Sequence, residues 1–373
     1  MGVKVLSLFD GMACGMLAMI NANLKVDEYI AYEIDKYAVE TATYNFPKIK
    51  ECGNVFSGDY TKYKNFDYLI GGSPCVYWSI SQSPDKRETT SSGFGWELFS
   101  QYVRALNESK PKFFIYENNV SMSIEIKKCI SETFGFSPVE INSALVSAQS
   151  RKRLYWVGVL NDEGKYDKVY VPQPEDKQVV VRDILDETVN KQQNKQAYAY
   201  INNCVQVGAL PRPNGELSTS QAFRIYDING KSITVKAFGG GAGGKSGLYA
   251  IPVDLLEHLS NIEYTVYTVK NNYITIKEKQ YPIKLSDGNY IIRKLTVNEV
   301  KRLQTVPDDY CFPVSNIQAY HMLGNGWTVD VISHIINATK LSETTKHLTN
   351  NELGEDVVKY INKVKSVPKK KLF

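Results

Sequence analysis

Across residues 1–160 short apolar runs alternate with stretches whose apolar residues recur at helical spacing, and few folds accept that alternation. Val3 to Phe9, Tyr29 to Glu33, Phe66 to Gly72, Phe113 to Glu117 and Leu154 to Leu160 read as strands. Between them Met16 to Ala22, Lys36 to Tyr44, Glu97 to Ser109 and Ile124 to Phe134 read as helices with a 3.6-residue period. A strand needs a long crossover to reach a parallel neighbour, and a helix is the usual crossover. The expected fold class is therefore α/β, a doubly wound and mainly parallel sheet whose ligands bind at the carboxyl ends of its strands.

After about residue 160 the texture changes to β-branched and aromatic runs broken by Gly, Pro and Asn, including Gly239-Gly240-Gly241-Ala242-Gly243-Gly244-Lys245. A second, smaller and β-rich domain is expected there. The helical pattern returns at Thr296, opened by a Thr296-to-Glu299 capping box, and Val329 to Leu341 should form a further helix. Beyond Ser342 another helix is expected before the tail ends in Lys369-Lys370-Lys371, read as a solvated terminus.

The 373 residues are 43% hydrophobic, enough for a large core, and no apolar run approaches the ~20 residues that span a bilayer. A soluble, cytoplasmic protein with no membrane partner is expected. The six cysteines lie far apart without CxxC or His/Cys spacing, so they are expected to be reduced thiols and no metal is expected. With a net charge of only +4, nucleic-acid binding would have to come from local clusters of Lys and Arg.

Four short segments bring reactive groups to expected strand ends. The turn Phe9-Asp10-Gly11-Met12-Ala13-Cys14-Gly15 suits close approach of backbone to a ligand, though packing alone also explains a glycine there. Glu33, ending the second strand, sits where an acidic side chain grips ribose hydroxyls, and Asp59 offers an acceptor for an adenine amino group. Gly71-Gly72-Ser73-Pro74-Cys75 places a thiol at the mouth of the sheet; an inert buried cysteine is the alternative. Glu117, at another strand end, is either a general acid and hydrogen-bond partner or a carboxylate favoured by a helix dipole. In Gln149-Ser150-Arg151-Lys152-Arg153, alternation directs Arg151 and Arg153 to one side, suited to phosphate or a base carbonyl, unless the run is only a solvated edge.

In this order the segments resemble the DNA (cytosine-5) methyltransferase family. The cofactor motif corresponds to Phe9 through Gly15, the Pro-Cys loop to Ser73-Pro74-Cys75, the Glu-Asn-Val motif to Glu117-Asn118-Asn119, and the Gln-x-Arg-x-Arg motif to Gln149 through Arg153. Arg293 through Tyr310 matches the segment that shapes the recognition domain, and Leu323-Gly324-Asn325-Gly326-Trp327-Thr328-Val329 matches the motif that returns to complete the cofactor pocket. Two departures stand out: the family's Gln-Gly-Phe-Ser is Val76-Tyr77-Trp78-Ser79 here, and its Val is Asn119.

The resemblance implies a Rossmann-like S-adenosylmethionine-dependent methyltransferase fold with a smaller β-rich target-recognition domain. It divides the chain into a catalytic and cofactor-binding domain over 1–160, the recognition domain with its hinge over 161–308, a C-terminal return over 309–345 and a tail over 346–373. It implies transfer of a methyl group from S-adenosyl-L-methionine to C5 of a cytosine flipped out of duplex DNA. Cys75 would add to C6, Glu117 would contact N3 and the exocyclic amine, and Arg153 with Arg151 would steady the C2 carbonyl and a phosphate. The cofactor set would be Phe9, Asp10, Gly11, Met12, Cys14, Gly15, Glu33, Ile34, Asp59, Tyr60, Pro74, Leu98, Asn325, Trp327 and Thr328. Ser79, Arg212, Arg224, Lys231, Lys236 and Lys245 would contact DNA, and Val76 to Trp96 would be a mobile loop closing over the site. The partner is duplex DNA and the chain is expected to act as a monomer; whether a separate restriction endonuclease accompanies it stays open. Rival readings are a tRNA cytosine-5 methyltransferase, an enzyme with a modified sulfonium donor, and a non-catalytic DNA-binding relative.

Overall fold

The structure, a computed structural model, describes residues 2–186, 200–238, 242–256 and 264–344. The expected terminal helix beyond Ser342, the Lys369-Lys370-Lys371 tail and Gly239 to Gly241 lie wholly or in part outside them. The chain opens with β1 (Val3–Leu8), α1 (Cys14–Asn21), β2 (Val26–Tyr32), α2 (Lys36–Asn45), β3 (Lys50–Glu51), β4 (Tyr68–Gly71) and α3 (Phe94–Ser109). It continues with β5 (Phe113–Asn119), α4 (Ile124–Phe134), β6 (Val139–Asn142), β7 (Lys152–Leu160) and β8 (Tyr166–Lys168). All eight strands form one sheet in the order β3-β2-β1-β4-β5-β7-β6, with β8 pairing β7. The pairs from β3 to β5 are parallel, whereas β7 runs antiparallel to its neighbours.

Strand alternation divides the core in two. Val5, Tyr29, Ile70 and Ile115 face one side; Leu6, Ile30, Leu69, Phe114 and Tyr116 face the other, where α3 and α4 cover them. Each large apolar side chain taken fully from water contributes about 1.5–3 kcal/mol. Local capping agrees with the tertiary plan: Asp35 caps α2 through the Tyr37 amide at 2.9 Å, and Ser123 caps α4 through Ile126 at 3.1 Å.

After α5 (Val181–Ile184) come β9 (Gln206–Ala209), β10 (Arg224–Asp227), β11 (Leu248–Pro252), β12 (Val266–Lys270), β13 (Tyr273–Ile276), β14 (Lys279–Pro282) and β15 (Gly288–Arg293). They make a second sheet ordered β14-β13-β12-β15-β11-β10-β9. One face encloses Val207, Ile225, Leu248, Val269 and Ile274; Tyr226, Tyr249 and Ile251 on the other join the core of the first sheet. The chain closes with α6 (Val297–Leu303), α7 (Asn316–Asn325) and α8 (Val329–Thr344), and α8 packs on α1. The Thr296–Glu299 box is present, with Thr296 Oγ1 accepting from the Glu299 amide at 3.1 Å and Glu299 Oε2 accepting from the Thr296 amide at 2.7 Å.

β8 continues the first sheet past residue 160, and α6 packs into the large core through Val300 and Leu303. β6 and α7 lie outside the expected elements: β6 is four residues long, and only the antiparallel hydrogen bonds of β7 identify it. No helix among the described residues is long and apolar enough to cross a membrane.

Candidate active site

From β1 the chain winds outward to β2 and β3 and then returns to β4 on the other side, so a crevice opens where the winding reverses. The turn after β1 lines it, with Phe9, Gly11 and Ala13 at φ 58°, 62° and 59°. This left-handed run is strained for Phe9 and Ala13, and the amides of Phe9 and Asp10 tie it to the Tyr32 carbonyl at 2.9 and 3.3 Å. Glu33 braces the turn: Oε2 accepts from the Gly11 amide at 2.8 Å, and Oε1 accepts from those of Ile34 and Asp35 at 2.7 and 2.8 Å. Asp10 accepts from the Ser7 and Tyr29 hydroxyls at 2.5 and 2.6 Å, while its second oxygen is buried without a partner. Burial lifts this carboxyl to about 6, against the lowering effect of Ser7 and Tyr29.

A cavity of about 200 Å³ occupies the crevice, lined by Phe9, Asp10, Gly11, Cys14, Glu33 and Pro74, and by Asn325, Gly326 and Trp327 of the returning segment. A cleft of about 800 Å³ between the two sheets adjoins it. Cys75, Val76, Arg153, Gly324 and Asn325 line both. Cys75 thus stands where the two spaces meet. Cys14 lines the smaller one too, but burial pushes its thiol up to about 12, so it stays protonated at neutral pH.

Glu117 follows Cys75 into the site from β5. Its Oε1 pairs with Arg153 Nε at 3.0 Å and its Oε2 accepts from Trp327 Nε1 at 3.0 Å, with the paired side chains only 12% and 14% exposed. Gly72 permits this approach, because a Cβ there would lie 2.9 Å from Glu117 Oε2 and from its carbonyl oxygen. The carboxylate is therefore held by one guanidinium and one indole, aimed at the same junction.

Arg151 does not share that task. It is 4% exposed, and its guanidinium donates to the carbonyls of Val235 at 3.3 Å, Gly324 at 3.2 Å and Gly326 at 3.0 Å. Burial and then Arg153 pull its pKa down to about 10, still protonated at neutral pH. Arg151 lines the smaller cavity together with Arg153, but its fork joins the segment between β10 and β11 to the returning segment. Gly324 belongs to the same junction, since a Cβ there would collide with the Ala237 backbone.

Several expected cofactor residues do not reach the cavity. Thr328 is buried, donating to Gln304 Oε1 at 2.8 Å and accepting from Ser143 at 2.8 Å. Met12 is buried with its carbonyl bonded by the Tyr310 hydroxyl at 2.6 Å, and Gly15 packs against Ile70 and Tyr29. Leu98 lies in the core, Tyr60 is fully buried with its hydroxyl on the Val55 carbonyl at 2.7 Å, and Asp59 turns to Thr61 and Lys62. Ile34 is exposed beside Glu33.

Among expected DNA contacts, Ser79, Arg224 and Lys236 line the larger cleft, joined by Gln221, Tyr226 and Lys152, which alternation had turned away. Arg212 is exposed in the turn before β10, and Lys245 donates to the Ile317 carbonyl at 3.3 Å, both outside the cleft lining. Lys231 is the clear correction: it is fully buried, and its Nζ donates to the carbonyls of Ala144, Val179 and Ser147 at 2.6, 2.7 and 3.1 Å. Its place in a β-rich region read as DNA-facing concealed that it is an internal tie. Gln304, which no local signal within Arg293 through Tyr310 singles out, links Gln149, Thr328, Leu323 and Gly326.

The expected mobile loop is fastened in several places. Trp78 is buried in the core, Tyr77 packs edge-on against Phe94 at 5.6 Å, and Arg87 donates to the carbonyls of Trp78 and Ser121 at 3.3 and 2.6 Å.

Comparison with known proteins agrees with this architecture. The chain is 33% identical over 172 residues to the orphan methyltransferase M.SPRI of Bacillus phage SPR, covering 43% of this chain and 38% of that protein. It is 25% identical over 308 residues to the orphan methyltransferase M.Rho11sI of Bacillus phage rho11s, covering 67% and 60%. The alignments thus span less than two thirds of these phage relatives, whereas with the type II methyltransferase M.NgoPII of Neisseria gonorrhoeae the identity is 26% and the coverage 91% and 95%. Among solved structures, Dnmt2 of S. pombe superposes with TM-score 0.53 at 16% identity, covering 93% of this chain and 99% of that one, and EhMeth of Entamoeba histolytica with 0.58 at 15%, covering 91% and 98%. Those likenesses are of fold. The family model for C-5 cytosine-specific DNA methylases matches residues 3–341, and the chain belongs to that family.

Proposed function

We propose that the protein transfers a methyl group from S-adenosyl-L-methionine to C5 of cytosine in duplex DNA, with Cys75 as nucleophile. The observation carrying this reading is the junction at Cys75, where the smaller cavity, the cleft and the Glu117–Arg153–Trp327 cluster converge. The smaller cavity suits the donor, which is cationic at sulfur and at its amino group. Its lining includes Asp10, Glu33, Asp35 and Glu117, and the unpartnered Asp10 oxygen is a buried acceptor in need of a donor. Glu33 and the Gly11 turn would hold the nucleoside end, with Ile34 offering an apolar surface beside it. When bound, the donor supplies an electrophilic sulfonium methyl.

The residues of this chain prepare the cytosine. A flipped base entering the cleft would meet Cys75, whose thiolate adds to C6 and makes C5 nucleophilic. Glu117 hydrogen-bonds N3 and the exocyclic amine, countering the charge that the addition creates, while Arg153 keeps that carboxylate oriented and faces the base carbonyl. Loss of the C5 proton and β-elimination then release Cys75. Arg224, Lys236, Lys152 and Ser79 would meet backbone and bases along the cleft. Of the unusual Val76-Tyr77-Trp78 run only Val76 lines the cavities, so the loop gives no ground for a different donor.

The test is incubation with S-adenosylmethionine and mixed-sequence duplex DNA, digestion to nucleosides and mass spectrometry, with Cys75→Ser in parallel. A 5-methylcytosine signal lost in the variant supports reaction and nucleophile together. No modified cytosine from folded protein, or modification of tRNA alone, overturns the reading.

A further inference from the structure

The side chain of Asn119 is engaged at every polar atom. It is 5% exposed at the end of β5. Its Nδ2 donates to the Cys75 carbonyl at 3.3 Å and to Asn118 Oδ1 at 3.2 Å. Its Oδ1 accepts from the Ser121 amide at 2.9 Å and the Ser121 hydroxyl at 2.7 Å. The neighbouring Asn118 donates to the Ser73 carbonyl at 3.2 Å. The two asparagines therefore grip the Pro-Cys loop on either side of Pro74.

The grip continues outward. Ser121 Oγ accepts from the Ile80 amide at 3.4 Å, and the Ser121 carbonyl accepts from Arg87 at 2.6 Å. The Cys75 carbonyl also accepts from the Trp78 amide at 3.2 Å. A valine could make none of the side-chain bonds of Asn119. We propose that Asn119 is a positioning residue that clamps the Cys75 carbonyl and, through Ser121, couples the nucleophile to the 78–88 loop. This inference rests on the methyl transfer proposed above and adds to it a device that sets the nucleophile before DNA arrives. A nucleophile held within reach of C6 lowers the barrier through orientation, an effect felt in the chemical step and not in binding.

The test compares Asn119→Val, Asn119→Asp and Ser121→Ala with the full-length wild type. Three quantities are read: the single-turnover methylation rate, the affinities for S-adenosylmethionine and for DNA, and hydrogen exchange in the peptide spanning Cys75 to Ser79. Asn119→Val should slow single turnover by roughly tenfold, the scale of one lost hydrogen bond, with both affinities within about twofold of wild type. Asn119→Asp keeps the acceptor for Ser121 but loses the donor to Cys75, so it should be no faster than Asn119→Val. Ser121→Ala should fall between Asn119→Val and wild type. Exchange in the loop should quicken several-fold in Asn119→Val whether or not the protein methylates DNA. A wild-type rate in Asn119→Val or Asn119→Asp, a slowing matched by equal loss of ligand affinity, or unchanged loop exchange overturns the clamp. An inactive wild type instead overturns the proposed reaction, and loop exchange still decides the clamp.

Discussion

Replacing Lys231 by methionine separates a structural tie from a DNA contact. Methionine keeps much of the apolar stem but removes the ammonium, leaving the carbonyls of Ala144, Val179 and Ser147 without their donor. Each buried acceptor left unpaired costs about 1–3 kcal/mol, and the lost charge no longer has to be desolvated, so the net loss should be about 3–5 kcal/mol. The wild-type lysine bears that cost: burial lowers its pKa, with Asp176 and Asp183 acting in the opposite direction. With an unfolding entropy near ~2 cal/mol/K per residue, the melting temperature should drop by about 4–6 °C. Thermal unfolding measures this directly, and DNA affinity against salt supplies the second arm. A residue touching phosphate contributes about one unit to the slope of log affinity against log salt, and Lys231→Met should leave that slope unchanged. Unchanged melting with a slope reduced by one would refute the assignment.

Other expectations follow from the same geometry. Arg151→Lys should lower stability by about 2–4 kcal/mol in urea titration, because one ammonium cannot span three carbonyls reached by a planar fork; unchanged stability would count against the junction role. Burial, then Asp10 and Glu33, raise Glu51 to about 8, and Asp10 itself stands at about 6. Both carboxyls hold protons more tightly folded than unfolded, so the stability this lends is complete below about pH 4 and is lost as pH rises through 6 and 8. Glu51→Gln should therefore raise the melting temperature at pH 8.5 and leave it unchanged at pH 4, and a rise confined to low pH would reverse the argument. Iodoacetamide at pH 8 should label Cys75 well before Cys14, whose thiol is pushed up to about 12, as peptide masses will report. Labelling in the opposite order would remove the basis for choosing Cys75.

Short-range signals were legible where the physics is local. Alternating strands and helical periods located β1, β2, β4, β5 and β7 to within a few residues and α4 to the residue, since burial of one face imposes its period on the chain. The Thr296–Glu299 box was equally readable, because both of its bonds close within four residues. Cys75, Glu117 and Arg153 could be singled out as reactive side chains at strand ends.

Residue type and alternation say which way a side chain leaves the backbone; they do not say what waits there. Arg151, just before β7, and Arg153, within it, are two residues apart, yet one meets three carbonyls of distant segments and the other a carboxylate. Lys231 carries the charge of a DNA contact, but the fold of the second sheet against the first takes it out of water. Trp327 reaches Glu117 from 210 positions away, and Asn119 meets Cys75 across 44. From the sequence alone came the class of fold and the candidate reactive groups, the first set by local periodicity and the second by residue chemistry at expected strand ends. Only the tertiary structure decided which charges remain free to meet a ligand, because that depends on the donors and acceptors that non-local packing supplies to each buried polar atom.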